Sequence, residues 1–163
     1  MSPKVAIIMG SLSDSKIMDE AKVVLEELGV ASDMQVSSAH RTPHEVMIFA
    51  ENARVNGYTV IIAGAGGAAH LPGVVAALTT LPVIGVPIKA KMSIDGWDSV
   101  LSILQMPSGV PVATVGLDSA RNAGILAAQI IGTFDPQIEK NLKAFKEKMK
   151  ITVKTMQEEL KKK

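Results

Sequence analysis

Five polar side chains in two short segments could bind an anion and move a proton. Ser11, Ser13 and Asp14 offer two hydroxyls and a carboxylate, and His40 stands beside Arg41 in the second segment. The planar fork of arginine binds phosphate or carboxylate, and histidine exchanges a proton near neutral pH. The two segments therefore indicate a site for a small anionic molecule, with an acid–base group next to it.

A third segment, residues 63–73, is almost free of large side chains. It follows the apolar run 60–62, consists mainly of glycine and alanine, and has His70 as its one large polar residue. Such a segment lets the backbone approach a ligand closely and offers N–H groups as donors. Close packing against another subunit would require the same small residues, so the pattern alone leaves both interpretations open.

The two polar segments also have ordinary structural explanations. Ser11 and Asp14 have the spacing of a helix-capping pair, and a lone histidine in a loop is usually a surface residue. Thr42 and Pro43 suit the cap and the first turn of a helix, which leaves residues 38–41 in the loop before it. Position relative to the predicted strands must therefore decide between a cap and a binding site.

Composition argues against several classes of protein. The 163 residues carry a formal net charge of +1 and are only 3% aromatic, so neither a nucleic-acid surface nor a base-stacking platform is expected. With no cysteine and three histidines without paired spacing, we expect no metal site. No apolar stretch approaches the roughly 20 residues of a membrane span. Because no secretory signal is visible either, we expect a cytoplasmic protein.

Short apolar runs alternate with helical patterns, which is typical of a parallel sheet with crossover helices. The fold class predicted is α/β, a flavodoxin-like three-layer sandwich whose strands are apolar on both faces. Ligands bind beyond the carboxyl ends of such strands, where the three segments begin. The predicted strands are Lys4–Met9, Met34–Ser38, Val60–Ala63, Val83–Val86 and Pro111–Val115. The predicted helices are about Asp14–Leu28, Pro43–Asn56, Leu71–Thr79, Asp98–Gln105 and Arg121–Gly132.

The tail of the chain has a different pattern. It is charged, and its apolar residues recur at spacings of three and four, which predicts a helix of about 25 residues and roughly 37 Å. So long a helix would extend beyond a small domain. We therefore expect it to pack on another subunit in preference to its own domain. One domain is predicted over 1–163, with a core at about 4–132 and a C-terminal helix at about 135–162. The stripe consists of Ile138, Leu142, Phe145, Met149, Val153, Met156 and Leu160.

Five motifs occur in an order that resembles one known family. They are Gly10-Ser11-x-Ser13-Asp14, Ser38-Ala39-His40-Arg41-Thr42-Pro43, and the ranges 63–73, 81–87 and 98–107. Together, over about Val5 to Ile131, they resemble the PurE family, the bacterial N5-carboxyaminoimidazole ribonucleotide mutases of purine biosynthesis. The resemblance implies a homo-octamer of flavodoxin-like subunits with eight active sites at subunit contacts. It also implies that no ATP, metal or organic cofactor is needed.

The activity that the resemblance implies is an isomerisation. A carboxylate moves from N5 to C4 of the imidazole to give 4-carboxy-5-aminoimidazole ribonucleotide, and an ATP-dependent synthetase supplies the substrate. Matched by position, the catalytic histidine of the family falls on His40. The expected substrate-binding residues are Ser11, Ser13, Asp14, Ser38, Arg41, Gly64, Gly66, Gly67, Ala68, His70 and Leu71.

Three other functions remain open on sequence. A sister branch of the family carboxylates the unsubstituted ribonucleotide with free CO2, but more often has lysine where this chain has Arg41. A flavodoxin-type redox or nucleotide-binding module would need aromatic side chains in the three segments, which have none. A structural assembly protein explains the small residues and the tail, but not the polar residues. Segments 89–97 and 116–124 depart from the commonest family pattern.

Overall fold

The computed structural model describes residues 2–162 and places five parallel strands in the order β2-β1-β3-β4-β5. Met1 and Lys163, the ends of the predicted domain, lie outside the described residues. A 3₁₀ turn over Leu12–Asp14 precedes the first helix. The strands are β1 Lys4–Met9, β2 Ala31–Val36, β3 Tyr58–Gly66, β4 Val83–Ile88 and β5 Ala113–Thr114. The helices are α1 Ser15–Glu27, α2 Pro43–Asn52, α3 Leu71–Leu78, α4 Trp97–Leu104, α5 Ala120–Gly132 and α6 Pro136–Lys161.

Helices cover both faces of the sheet, as the fold prediction requires. Alternate residues of β1 point to opposite faces: Val5 and Ile7 join a core beneath α1, α5 and α6, whereas Ala6 and Ile8 join a core beneath α2, α3 and α4. The central strands are apolar on both faces because both faces are buried. The α/β, flavodoxin-like three-layer sandwich is therefore confirmed.

The third strand extends beyond its predicted end. We expected β3 to stop at Ala63, but it runs to Gly66 because Gly64 and Gly66 pair with Val86 and Ile88 of β4. The first part of the glycine–alanine segment is therefore strand and not loop. Its residues are small because the neighbouring elements leave no room for larger side chains. Composition alone therefore could not show where the pairing of β3 with β4 ends.

The two edge strands differ most from prediction. β2 covers Ala31–Val36 and not Met34–Ser38, and most of it is exposed because β1 is its one neighbour in the sheet. The expectation that every strand is apolar on both faces is wrong for β2. Only Ala113–Thr114 of the predicted fifth strand pairs regularly with β4. Pro111, which has no N–H to donate, lies outside this ladder.

The helices lie where they were predicted, with shifts at their ends. α2 ends at Asn52 and not Asn56, and the chain then turns through Gly57, which has a φ of +85°. Thr42 occupies the N-cap position of α2, as expected, but its side chain makes no capping bond to the helix. Its hydroxyl instead donates to the Ser38 carbonyl oxygen at 3.2 Å. That bond closes the loop containing His40 on itself.

The C-terminal helix α6 extends past the domain, as its length predicts. Asp135 caps it by accepting hydrogen bonds from the backbone N–H groups of residues 137 and 138. Ile138 and Leu142 pack into the core, whereas farther along the same stripe Val153 is 53% and Leu160 is 73% exposed. Its first turns therefore cover their own domain.

Within residues 2–162, no helix combines the length and the hydropathy that crossing a membrane requires.

Candidate active site

The carboxyl ends of β1, β2 and β3 bring the three predicted segments together. Met9, the last residue of β1, lies level with Val36 of β2 and Gly64 of β3. The ladder continues one residue further, since the Gly10 N–H donates to the Gly64 carbonyl oxygen at 3.2 Å. The chain therefore leaves all three strands at the same edge of the sheet.

A cleft of about 370 Å³ opens at this edge. It contains every predicted site residue except Gly64 and Gly67. Ala90 follows β4 and had no chemical signal in the sequence; only its position after a central strand could have pointed to it. The lining residues are Gly10, Ser11, Ser13, Asp14, Ser38, Ala39, His40, Arg41, Ala65, Gly66, Ala68, His70, Leu71 and Ala90.

The first wall of the cleft is a network of hydroxyls around a carboxylate. The Ser11 Oγ accepts hydrogen bonds from the backbone N–H of Ser13 at 3.3 Å and from its hydroxyl at 2.9 Å. Asp14 is only 7% exposed, and burial raises the pKa of its carboxyl above the usual 3.8. Hydrogen bonds from Ser13 and from the Ser11 backbone, and the charge of Arg41, act in the opposite direction. The segment thus caps a turn and also faces the cleft.

Arg41 connects the first and second segments. Its Nη2 donates to the Gly10 carbonyl oxygen at 2.8 Å, and its Nε donates to the Ser38 Oγ at 3.2 Å. These bonds hold a positive group beside the Asp14 carboxylate and the hydroxyls of Ser11 and Ser13. A guanidinium with hydroxyls around it is suited to a phosphate or carboxylate ligand.

His40 and His70 meet across the cleft, although thirty positions separate them in the chain. His40 Nε2 lies 2.8 Å from His70 Nδ1, and the rings stand edge to face with centroids 4.9 Å apart. Two ring nitrogens at hydrogen-bond distance share one hydrogen, so the tautomer of one ring fixes that of the other. The pair can therefore pass a proton between the second and third segments.

The glycine–alanine segment shapes the floor of the cleft. A Cβ on Gly66 would lie 2.7 Å from Ala90 Cβ and 2.9 Å from the Ile88 carbonyl oxygen, so the strand admits only glycine there. Gly64 lies below the cleft, where an added Cβ would meet the Met18 Sδ at 2.3 Å. Gly67 turns the chain with a φ of +60° and has open space at its Cβ position. Packing thus accounts for Gly64, and chain geometry for Gly67.

The chemistry of the cleft is that of anion binding and proton transfer. Among the lining residues in the described part of the chain, the aromatic rings are the imidazoles of His40 and His70, with no Phe, Tyr or Trp to stack on a flavin. Hydroxyls, one guanidinium and one buried carboxylate surround an imidazole pair. Such a set suits a small phosphorylated molecule whose reaction requires a proton to be given and taken back.

Comparisons with known proteins show the family to which the chain belongs. The family model described as AIR carboxylase matches residues 4–152. N5-carboxyaminoimidazole ribonucleotide mutase of Pyrococcus abyssi is 58% identical over 91% of this chain and 84% of its own length. The enzyme of the same name from Thermotoga maritima is 55% identical over 91% of this chain and 86% of its own. The crystal structure of Treponema denticola PurE2-S38D superposes with a TM-score of 0.89 at 28% identity over 99% of each chain. The chain therefore belongs to the AIR carboxylase family.

Proposed function

We propose that this protein is an N5-carboxyaminoimidazole ribonucleotide mutase. It isomerises N5-carboxyaminoimidazole ribonucleotide to 4-carboxy-5-aminoimidazole ribonucleotide in purine biosynthesis. The observation that carries the proposal is the meeting of His40, Arg41 and Asp14 in one cleft lined by small residues. Relatives more than half identical to the chain have that activity in their names.

The polar wall of the cleft binds the nucleotide in this proposal. The phosphate lies among the hydroxyls of Ser11, Ser13 and Ser38, where Arg41 supplies the positive charge. Asp14 accepts hydrogen bonds from the ribose hydroxyls. Support comes from the shared cleft and from the bonds that already orient Arg41 towards Gly10 and Ser38. Bonds from charged groups are the stronger ones, so Arg41 and Asp14 contribute most to affinity.

The reaction is a decarboxylation followed by a recarboxylation. The bond between N5 and the carboxylate carbon breaks, its electron pair returns to N5, and protonated His40 gives N5 a proton. The C4 carbon then attacks the CO2 set free, a carbon–carbon bond forms, and the proton leaving C4 returns to His40. Atoms, electrons and protons balance within the substrate and one histidine. General acid–base help of this kind gives about 10²–10⁴-fold in rate.

Confinement of CO2 supplies the other part of the catalysis. CO2 is small and uncharged, so no ion pair can hold it. The small and apolar residues Gly66, Ala68 and Leu71, which line the cleft, keep it against C4. Holding two reactants in a productive orientation is worth on the order of 7–11 kcal/mol in favourable cases.

The assembly is also part of the proposal. The isolated subunit exposes large apolar side chains before and along α4, including Met92, Ile94, Trp97, Leu101 and Leu104. Apolar surface of this extent indicates a contact between proteins. A homo-octamer with active sites at subunit contacts accounts for it. A cytoplasmic location and a functional link to an ATP-dependent synthetase rest on the same family and stay predictions.

An assay without ATP tests the activity. Freshly made N5-carboxyaminoimidazole ribonucleotide is mixed with the protein, and formation of the 4-carboxy product is followed by ultraviolet absorbance. A parallel sample contains aminoimidazole ribonucleotide with bicarbonate. We expect rapid product from the first substrate only. Efficient product from the second at modest CO2 would assign the protein to the carboxylase branch, and no product from either would refute both activities.

A further inference from the structure

Two segments at the far side of the cleft are joined by one carboxylate. They are residues 89–97, which follow β4, and residues 116–124, which follow β5. The Asp118 Oδ1 accepts a hydrogen bond from the Lys89 backbone N–H at 2.9 Å, and the Asp118 N–H donates to the Pro87 carbonyl oxygen at 2.9 Å. Asp118 therefore bonds to the backbone before the last residue of β4, at Pro87, and after it, at Lys89.

The backbone of Asp118 is in an unusual conformation. Its φ is +55°, and the one other non-glycine residue with positive φ in residues 2–162 is Asp95 at +53°. Aspartate tolerates this left-handed region better than most residues, but a non-glycine residue there still needs support from its surroundings. The two bonds to the end of β4 supply that support for Asp118.

The turn that Asp118 holds forms a wall of the cleft. The Ala90 N–H donates to the Ile88 carbonyl oxygen at 3.1 Å, so the chain turns sharply around Lys89. Ala90 then lies directly over Gly66, where an added Cβ would be 2.7 Å from the methyl of Ala90. Both Ala90 and Gly66 line the cleft. A shift at Lys89 therefore moves the wall that faces the floor of the site.

A second contact fastens the same two segments together. Leu117 lies against Gly96, where an added Cβ would come within 2.5 Å of the Leu117 Cδ2. Lys89 in turn forms an ion pair with Asp95, but both side chains are exposed, so that pair adds little. The bond of Asp118 to the Lys89 N–H is thus the polar contact that acts on the backbone of the wall.

We propose that Asp118 is a positioning residue that holds the Lys89–Ala90 wall over Gly66 and so keeps CO2 inside the cleft during the reaction. The inference rests on the proposed mutase activity. Asp118 lines no part of the cleft and acts through the backbone of Lys89 and Ala90. Its loss opens the wall, lets CO2 escape before C4 captures it, and leaves proton transfer by His40 unchanged.

Three variants separate the hydrogen bond from backbone strain. Asp118→Gly removes the acceptor and relaxes the positive φ, so its fold is retained. Asp118→Asn keeps an acceptor oxygen and is also tolerated at positive φ. Asp95→Gly is the matched control, because it removes the other positive-φ aspartate without touching the Lys89 N–H. The substrate carries a ¹³C carboxylate, and the solution contains unlabelled bicarbonate.

We expect Asp118→Gly to raise the unlabelled fraction of the 4-carboxy product, and the release of aminoimidazole ribonucleotide, by about 2- to 10-fold, the range of one hydrogen bond. Asp118→Asn and Asp95→Gly stay near wild type. Equal leakage from Asp118→Gly and wild type overturns the proposal. So does leakage from Asp118→Asn as great as that from Asp118→Gly.

Hydrogen exchange at the peptide spanning residues 87–91 tests the same contact without any reaction. The Lys89 amide is expected to exchange about 2- to 10-fold faster in Asp118→Gly than in wild type, and Asp118→Asn restores the protection. Equal exchange in all three proteins overturns the role of Asp118. If wild type gives no product but the exchange differs as expected, the mutase activity fails and the contact stands.

Discussion

The contact between His40 and His70 limits what either ring can do alone. One hydrogen lies between His40 Nε2 and His70 Nδ1, and each ring keeps one further nitrogen for a substrate or for solvent. A proton accepted on one ring can therefore be passed to the other. This arrangement suits a reaction that gives a proton to one atom and takes a proton from another.

Replacing His40 tests its assignment as the proton carrier. His40→Asn keeps a polar, though shorter, side chain that cannot exchange a proton. We expect turnover of N5-carboxyaminoimidazole ribonucleotide to fall by about 10²–10⁴-fold, the usual contribution of a general acid–base. Nucleotide affinity stays near the wild-type value, because Arg41 and the serines bind the phosphate. Steady-state kinetics and calorimetric titration with aminoimidazole ribonucleotide measure the two effects.

His44 offers a matched control for this substitution. It lies in the first turn of α2, is exposed, and does not line the cleft. His44→Asn makes the same chemical change four positions away, and its turnover should equal that of wild type. Near-normal turnover in His40→Asn would show that the assignment of the proton carrier is wrong.

The buried carboxylate of Asp14 links stability to pH. Because burial raises its folded-state pKa above the unfolded value of 3.8, ionised Asp14 destabilises the fold. This destabilisation is fully present above the folded-state pKa and is lost as the pH falls through that pKa towards 3.8. Asp14→Asn removes the ionisation, so we expect a higher free energy of unfolding than wild type at pH 7. The difference shrinks on acidification.

Urea unfolding in steps from pH 7 to pH 4 measures that difference. The same variant should bind aminoimidazole ribonucleotide more weakly, because a charged acceptor forms the stronger hydrogen bonds to the ribose. A gain in stability together with a loss of affinity identifies a residue retained for function. A stability difference that stays constant with pH would contradict the burial argument.

At the scale of elements, β3 positions the site through the small size of its residues. Gly64 in β3 lies beneath the side chain of Met18 from α1 and beside Ile88 from β4. Met18 is fully buried, so its Sδ, 2.3 Å from an added Cβ, has little space to move into. The approach of α1 to the sheet therefore depends on the absence of a side chain at Gly64.

Gly64→Ala should destabilise the protein by about 1–3 kcal/mol, the usual effect of an added methyl in a filled core. Urea unfolding measures the loss. Gly10→Ala is the control for stability, because its added Cβ meets nothing within 4 Å, and we expect a change below about 0.5 kcal/mol. Met18→Val shortens the opposing side chain. The double variant Gly64→Ala with Met18→Val should therefore recover part of the stability that Gly64→Ala loses. If the double variant recovered no stability, a contact other than that with Met18 would exclude a side chain at residue 64.

The elements differ in how far the sequence could predict them. β1 matches its prediction residue for residue, because an unbroken apolar run belongs in the middle of a covered sheet. β2 was misplaced because Ser32 and Asp33 lie in an exposed edge strand and resemble loop residues. The three strand ends could be predicted to meet. The contact of His40 with His70 could not, since it depends on side-chain packing between separate loops.

At the scale of the whole molecule, the apolar stripe of α6 is buried in the first turns of the helix and exposed in the later ones. Its first turns bury Ile138 and Leu142 against the domain. Beyond Phe145 the stripe continues with Met149 at 45% and Met156 at 60% exposure. A monomer gains nothing from extending an apolar stripe into solvent, whereas a neighbouring subunit can bury it. The assembly that we propose would therefore account for the length of α6.

Charged substitutions on the exposed part of the stripe test that explanation. Val153→Glu with Met156→Glu places two carboxylates on the apolar side of α6. Lys154→Glu makes the same change in net charge on the opposite side and is the control. We expect the double variant to form particles of fewer subunits than wild type, whereas Lys154→Glu keeps the wild-type mass, as measured by light scattering after size exclusion. Because the octamer proposal puts active sites at subunit contacts, turnover should fall with the particle mass. A double variant of wild-type mass would show that α6 extends from the assembly without holding it together.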